Sequence, residues 1–157
     1  MLRKKNTDAV LIRAKLKKGD AVNVVLDGRC MEPLLKAGDI AKVVAAADIQ
    51  RGDICLICGM DKRLRLHRII EIDGKTVRSK GDRTGRFETV DMSSVLGRAE
   101  EVKINERPEI QRKLSQNKAL TKFKAFLSEK SMNKKCRIAK GILIILNNFQ
   151  RIKWRVL

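Results

Sequence analysis

The sequence predicts a mainly β protein: a curled or barrel-like antiparallel sheet domain over residues 1–107, carrying a basic helical extension over residues 108–157. Three observations lead there. Short runs rich in Val and Ile recur before residue 105, set off by Gly-Asp or Asp-Gly pairs, the punctuation of strands joined by turns. No helical apolar period interrupts them. After Pro108 the period changes, with Ile110, Leu114, Leu120, Phe123, Phe126 and Leu127 recurring at largely helical spacing among lysines, the pattern of one or two amphipathic helices. A hydrophobic content of 43% with 3% aromatic residues over 157 residues suffices for one aliphatic core and excludes a disordered chain.

Taken in order, Ala9 to Lys18 is a mixed apolar and basic run ended by Gly19-Asp20, compatible with either a helix turn or a strand. Ala21 to Leu26 is rich in β-branched residues and precedes Asp27-Gly28, so it reads as a strand. Ile40 to Val44 is the next. Asp48 to Asp53 forms a turn, and the nearly continuous apolar run Ile54-Cys55-Leu56-Ile57-Cys58 is a central strand buried on both sides. From Arg63 to Ile72, alternation puts Leu64, Leu66, Ile70 and Ile72 on one face and Arg63, Arg65, His67 and Ile69 on the other. Asp73-Gly74 signals a hairpin, whose return strand Lys75 to Ser79 leads into a loop from Lys80 through Met92 that holds Asp82, Glu88 and Asp91. Val95 to Ile104 closes the sheet.

Gly28-Arg29-Cys30-Met31-Glu32-Pro33 places a thiol on a turn between two strands, followed by Leu34-Leu35-Lys36-Ala37-Gly38-Asp39. With serine in place of Cys30, this G-x-S-M-x-P and L-x-x-G-D arrangement resembles the nucleophile motif of the signal peptidase I and LexA-type peptidase superfamily. Arg51-Gly52-Asp53-Ile54 is similar to that superfamily's G-D-I/V strand start, Leu66-His67-Arg68-Ile69-Ile70 to its base-bearing strand, and Ser79-Lys80-Gly81-Asp82 to its K-G-D loop. Val95-Leu96-Gly97-Arg98 resembles the closing strand. The match runs from about Ala21 to Val102.

The resemblance implies an endopeptidase that cuts a leader or precursor peptide, with Cys30 as nucleophile and His67 as base. Histidine is the base of the archaeal and endoplasmic-reticulum branch, where an aspartate supports it; bacterial enzymes use lysine. On that pattern Asp91 is the orienter of His67 and Asp82 a loop-fixing residue. Acyl transfer also needs donors for the oxyanion. Where part of the superfamily has a hydroxyl two residues before the nucleophile, this chain has Gly28, which leaves backbone N–H groups such as that of Cys30. No cofactor or metal is called for. A Cys–His pair can ionise before substrate binds, because an imidazolium lowers the thiol pKa.

Plainer readings stand beside these. Cys30 can be a small buried hydrophobe, Asp82 and Asp91 can cap turns, and the whole domain can be a peptide-binding module that kept the fold and lost catalysis. A DNA-bound regulator, as in the LexA-type relatives, lacks a helix-turn-helix ahead of the β domain and has His67 where those proteins have lysine. Cys55-x-x-Cys58 has the spacing of zinc or redox sites, but strand residues three apart face opposite sides and no second cysteine pair completes a zinc site.

The net charge is +18. Residues 108–157 hold 13 Lys or Arg against Glu109 and Glu129 alone, and the basic amphipathic stretch ending in Trp154 suits an anionic membrane surface or a partner groove. No apolar run is long enough to span a bilayer, and the N-terminus lacks the apolar core of a signal peptide. With four cysteines and no disulfide-scaffold density, the expected location is cytoplasmic, with peripheral membrane contact.

Overall fold

A computed structural model describes residues 3–105, 107–114 and 125–126. The described chain is mainly β. Helix α1 (Arg3–Lys17) precedes strands β1 (Val22–Val25), β2 (Ile40–Val44), β3 (Ile54–Cys58), β4 (Leu64–Asp73), β5 (Thr76–Lys80), β6 (Glu88–Asp91), β7 (Val95–Ile104) and β8 (Arg107–Lys113). The strands pair antiparallel in the order β1-β2-β7-β3-β4-β5-β6, with β8 also on β7. The sheet curls into a half-barrel. Register shifts at Lys42/Val43, Leu56/Ile57, Ile69/Glu71 and Lys103/Ile104 supply the local bends, because each extra residue tightens the strand's twist.

Both faces are covered. One cluster gathers Leu16, Met31, Leu35, Val43, Leu56 and Leu66; the other gathers Cys55, Ile57, Ile69, Val77, Val90 and Val95. Successive β3 residues therefore alternate between two cores, which is why that strand reads as unbroken apolar sequence. Cys55 lies in the second core, while Cys58 packs against the first. The two thiols are free, and among the described residues no cluster of three or more His, Cys, Asp or Glu could hold a metal.

The two Gly-Asp motifs ahead of β2 and β3 build the same turn. The Lys36 N–H donates to Asp39 Oδ2 at 2.8 Å and the Asp39 N–H to the Lys36 carbonyl at 3.1 Å; Gln50 and Asp53 repeat this at 2.9 and 3.1 Å. Gly38 and Gly52 sit at φ 87° and 98°, the left-handed third position that such a turn reserves for glycine. Buried Asp39 also accepts the Asn105 N–H through Oδ1 at 3.1 Å, tying the turn to the end of β7.

Four expectations are corrected. The ambiguous N-terminal run is helical, so a helix does precede residue 105; its buried Ala9 and Leu16, with Ile12, face the first core, but exposed Val10 and Leu11 blur the stripe. Gly19 (φ 87°) ends it: the Gly19 N–H donates to the Leu16 carbonyl at 3.0 Å and the Asp20 N–H to that of Lys15 at 3.1 Å, a left-handed cap. The Lys80–Met92 loop contains β6, paired with β5. Pro108 and Ile110, where a helical period was expected to begin, lie in β8, so the sheet runs past residue 107 to Lys113. The bulge at Ile69/Glu71 shifts the phase of β4 and brings Ile72 onto the same core as Ile69. The expected helical extension falls almost wholly outside the described residues.

Candidate active site

Leaving β1, the chain is held by Leu26, whose N–H donates to the Asp39 carbonyl at 2.9 Å and whose carbonyl accepts from the Gly38 N–H at 2.7 Å. Beyond exposed Gly28 and Arg29, the loop is nailed down by buried Met31, Leu34 and Leu35. Half-buried Cys30 stands between these anchors and solvent. The peptide bond from Glu32 to Pro33 is cis. Glu32 pairs outside the loop with Arg29 at 2.9 Å and with Arg83.

The Lys80-Gly81-Asp82 segment clamps this loop from behind. The Arg83 N–H donates to the Cys30 carbonyl at 2.8 Å, and Gly81 passes so near that a Cβ there would lie 2.5 Å from the Cys30 carbonyl oxygen and 2.8 Å from its Cβ. Glycine at 81 is a steric requirement. Asp82 is buried and takes both oxygens to Arg68, accepting from Nε at 2.8 Å and Nη2 at 2.7 Å; Arg68 Nη1 donates to the Gly52 carbonyl at 2.9 Å. Arg68 thus joins the K-G-D loop to the turn that opens β3.

Strand β5 pairs with β4 only from Arg68, opposite Lys80, onward. Leu64 to His67 is consequently paired to β3 alone among the described residues, and Cys30 enters at this open edge, its Sγ–H donating to the Leu66 carbonyl at 3.8 Å. His67 is the next residue. Cys30 and His67 line one cleft of about 940 Å³, together with Val24, Leu26, Leu64 and Glu88. His67 is 7% exposed, and its Nδ1 is buried with no hydrogen-bond partner, while Glu88 Oε2 stands 3.6 Å from it.

Of the four residues singled out in the sequence, two share the cleft. Asp82 lies beneath it, committed to Arg68. Asp91 lies elsewhere: it caps the 3₁₀ turn Met92–Ser94, accepting from the Ser93 N–H at 2.7 Å, and pairs in register with Thr76, which pairs with Asp73. Asp73 is six residues along β4 from His67, on the order of 20 Å at strand rise. The orienter role assigned to Asp91 is therefore corrected. Glu88, opposite Ser79 and so in the row of Ile69, is the carboxylate beside His67, and its only sequence signal was its place in the loop before Asp91.

Burial pushes the Cys30 thiol up, opposed by a backbone hydrogen bond at Cys30 itself and reinforced by the Asp82 charge. Burial also lowers His67 to about 4, helped by the Arg65 guanidinium and opposed by Asp82. Both shifts favour the neutral forms, thiol and imidazole, over the ion pair that a neighbouring Cys and His can form. A neutral imidazole near neutral pH is able to accept a proton. Cys55 is held above the usual thiol range by burial, which marks it as core.

Compared with known proteins, the chain matches no family model and none of the curated proteins.

Proposed function

We propose that this protein is an endopeptidase similar to signal peptidase I, with Cys30 as nucleophile and His67 as general base. One observation carries the reading: the thiol at the open edge of β4 and the chain's single imidazole line the same cleft. An extended peptide laid along Leu64 to His67 would pair with the free strand edge, bringing its carbonyl carbon to Cys30. As Sγ attacks, His67 takes the thiol proton, and the backbone N–H of Cys30 supports the oxyanion. The imidazolium then protonates the leaving amine. Water, deprotonated by His67, releases the thioester and restores the neutral pair.

The protonated resting thiol favours a second reading, a peptide-binding module without catalysis, since the thiolate is the stronger nucleophile. A library of extended peptides incubated with the full chain and read by mass spectrometry separates the two. Cleavage that disappears in both Cys30→Ala and His67→Ala supports the endopeptidase, whereas retention of peptides without cleavage supports the module.

The basic extension docks the enzyme on anionic membrane surface in this reading. Attraction of about 1 kcal/mol per basic residue near the surface makes its 13 Lys and Arg sufficient for reversible, salt-sensitive contact. No described helix is long and apolar enough to cross a membrane.

A further inference from the structure

We propose that Glu88 is the positioning residue of His67, accepting the imidazole Nδ1–H through Oε2 and so leaving the Nε2 lone pair to act on Cys30; this rests on the endopeptidase reading. A buried ring nitrogen without a partner is costly, about 1–3 kcal/mol for an unsatisfied polar group, and Nδ1 is such a group. The carboxylate oxygen at 3.6 Å needs to move less than about 1 Å to make an ordinary hydrogen bond.

Glu88 is held for this purpose from its other side. Its Oε1 lies 3.5 Å from Arg65 Nη1, and Arg65 is itself gripped by Asp61 at 2.8 and 2.5 Å. Gly59 leaves the space for this cluster, since a Cβ there would collide with Arg65 and lie 2.5 Å from Glu88 Oε1. Residue 88 also opens β6, fixed in register against Ser79, whose Oγ–H donates to the Glu88 carbonyl at 3.5 Å. Neither aspartate competes: both oxygens of Asp82 are on Arg68, and Asp91 is on another part of the sheet. The charges bearing on His67 are thus Glu88, Arg65 and Asp82, with the Cys55 thiol across the strand pair.

Because the chain has one histidine, the imidazole of the full-length protein labelled with ¹⁵N-histidine gives a single spin system. Long-range ¹H–¹⁵N correlation near pH 7.5 reads its tautomer directly. The expected result is protonation at Nδ1 in the wild type, retention in Glu88→Gln, whose amide oxygen still accepts, and a shift toward the Nε2–H tautomer in Glu88→Ala. An Nε2–H tautomer in the wild type overturns the proposal without reference to any variant, and so does an unchanged tautomer in a folded Glu88→Ala. Failure of the wild type to cut any peptide overturns the endopeptidase reading instead, which the tautomer does not decide.

Discussion

His67 makes the protein's stability sensitive to acid, and the sign follows from its burial. Its folded pKa is lowered to about 4 from an ordinary 6.5, so between those values the unfolded chain binds a proton that the folded one refuses. The stabilisation is fully present above pH 6.5 and is lost as pH falls toward 4, by up to about 3 kcal/mol. Urea midpoints at pH 7.5 and 4.5 check this: the fall should be smaller in His67→Phe, and an equal fall in both proteins removes His67 as its cause. Asp82 is structural in the same sense. Asp82→Ala leaves the Arg68 charge buried and unpaired and should cost about 3–5 kcal/mol in urea unfolding. Gly81→Ala drives a methyl into the Cys30 carbonyl and should displace the nucleophile loop, visible as altered Cys30 labelling with about 1–3 kcal/mol of destabilisation.

Turns and edges explain which elements could be read in advance. The Gly-Asp pairs were legible because each does two jobs at once, a left-handed backbone and a carboxylate for the amide three residues earlier. Gly52→Ala, at φ 98°, should therefore cost about 1–2 kcal/mol, measured by denaturant titration. Strands β2, β3 and β7 coincide with runs visible in the sequence, and β3 declares itself most plainly, since a strand buried on both faces is continuously apolar. Three elements hid. Helix α1 carries exposed Val10 and Leu11, β6 is four residues long, and β8 depends on its long-range pairing with β7. That last pairing has a consequence for truncation. A chain ending after Arg107 should be less stable than one ending after Leu114, because it strips the strand that pairs with β7 from Glu101 to Ile104; equal urea midpoints would remove β8 from the fold's stability.

At the scale of the whole molecule, the candidate site is assembled from segments far apart in sequence, and that assembly sets the limit of what the chain alone disclosed. That Cys30 and His67 come together on one cleft, with Asp82 fixing the K-G-D loop through Arg68, was legible from the motif residues. The carboxylate beside His67 was not, because the family resemblance favoured Asp91, whereas the β5–β6 register carries Asp91 away and sets Glu88 near β4. The ionisation state was also hidden, since it depends on how deeply the loop and β4 bury both groups. The central claim is that Cys30 and His67 work as a pair. Iodoacetamide labelling of the full chain, resolved by peptide mapping near neutral pH, tests it most directly: because burial holds the Cys30 thiol protonated, its alkylation depends on a neighbouring base, and Cys30 should be alkylated more slowly in His67→Ala than in the wild type, with Cys58 labelling the same in both. A Cys30 rate unchanged in a folded His67→Ala would contradict it.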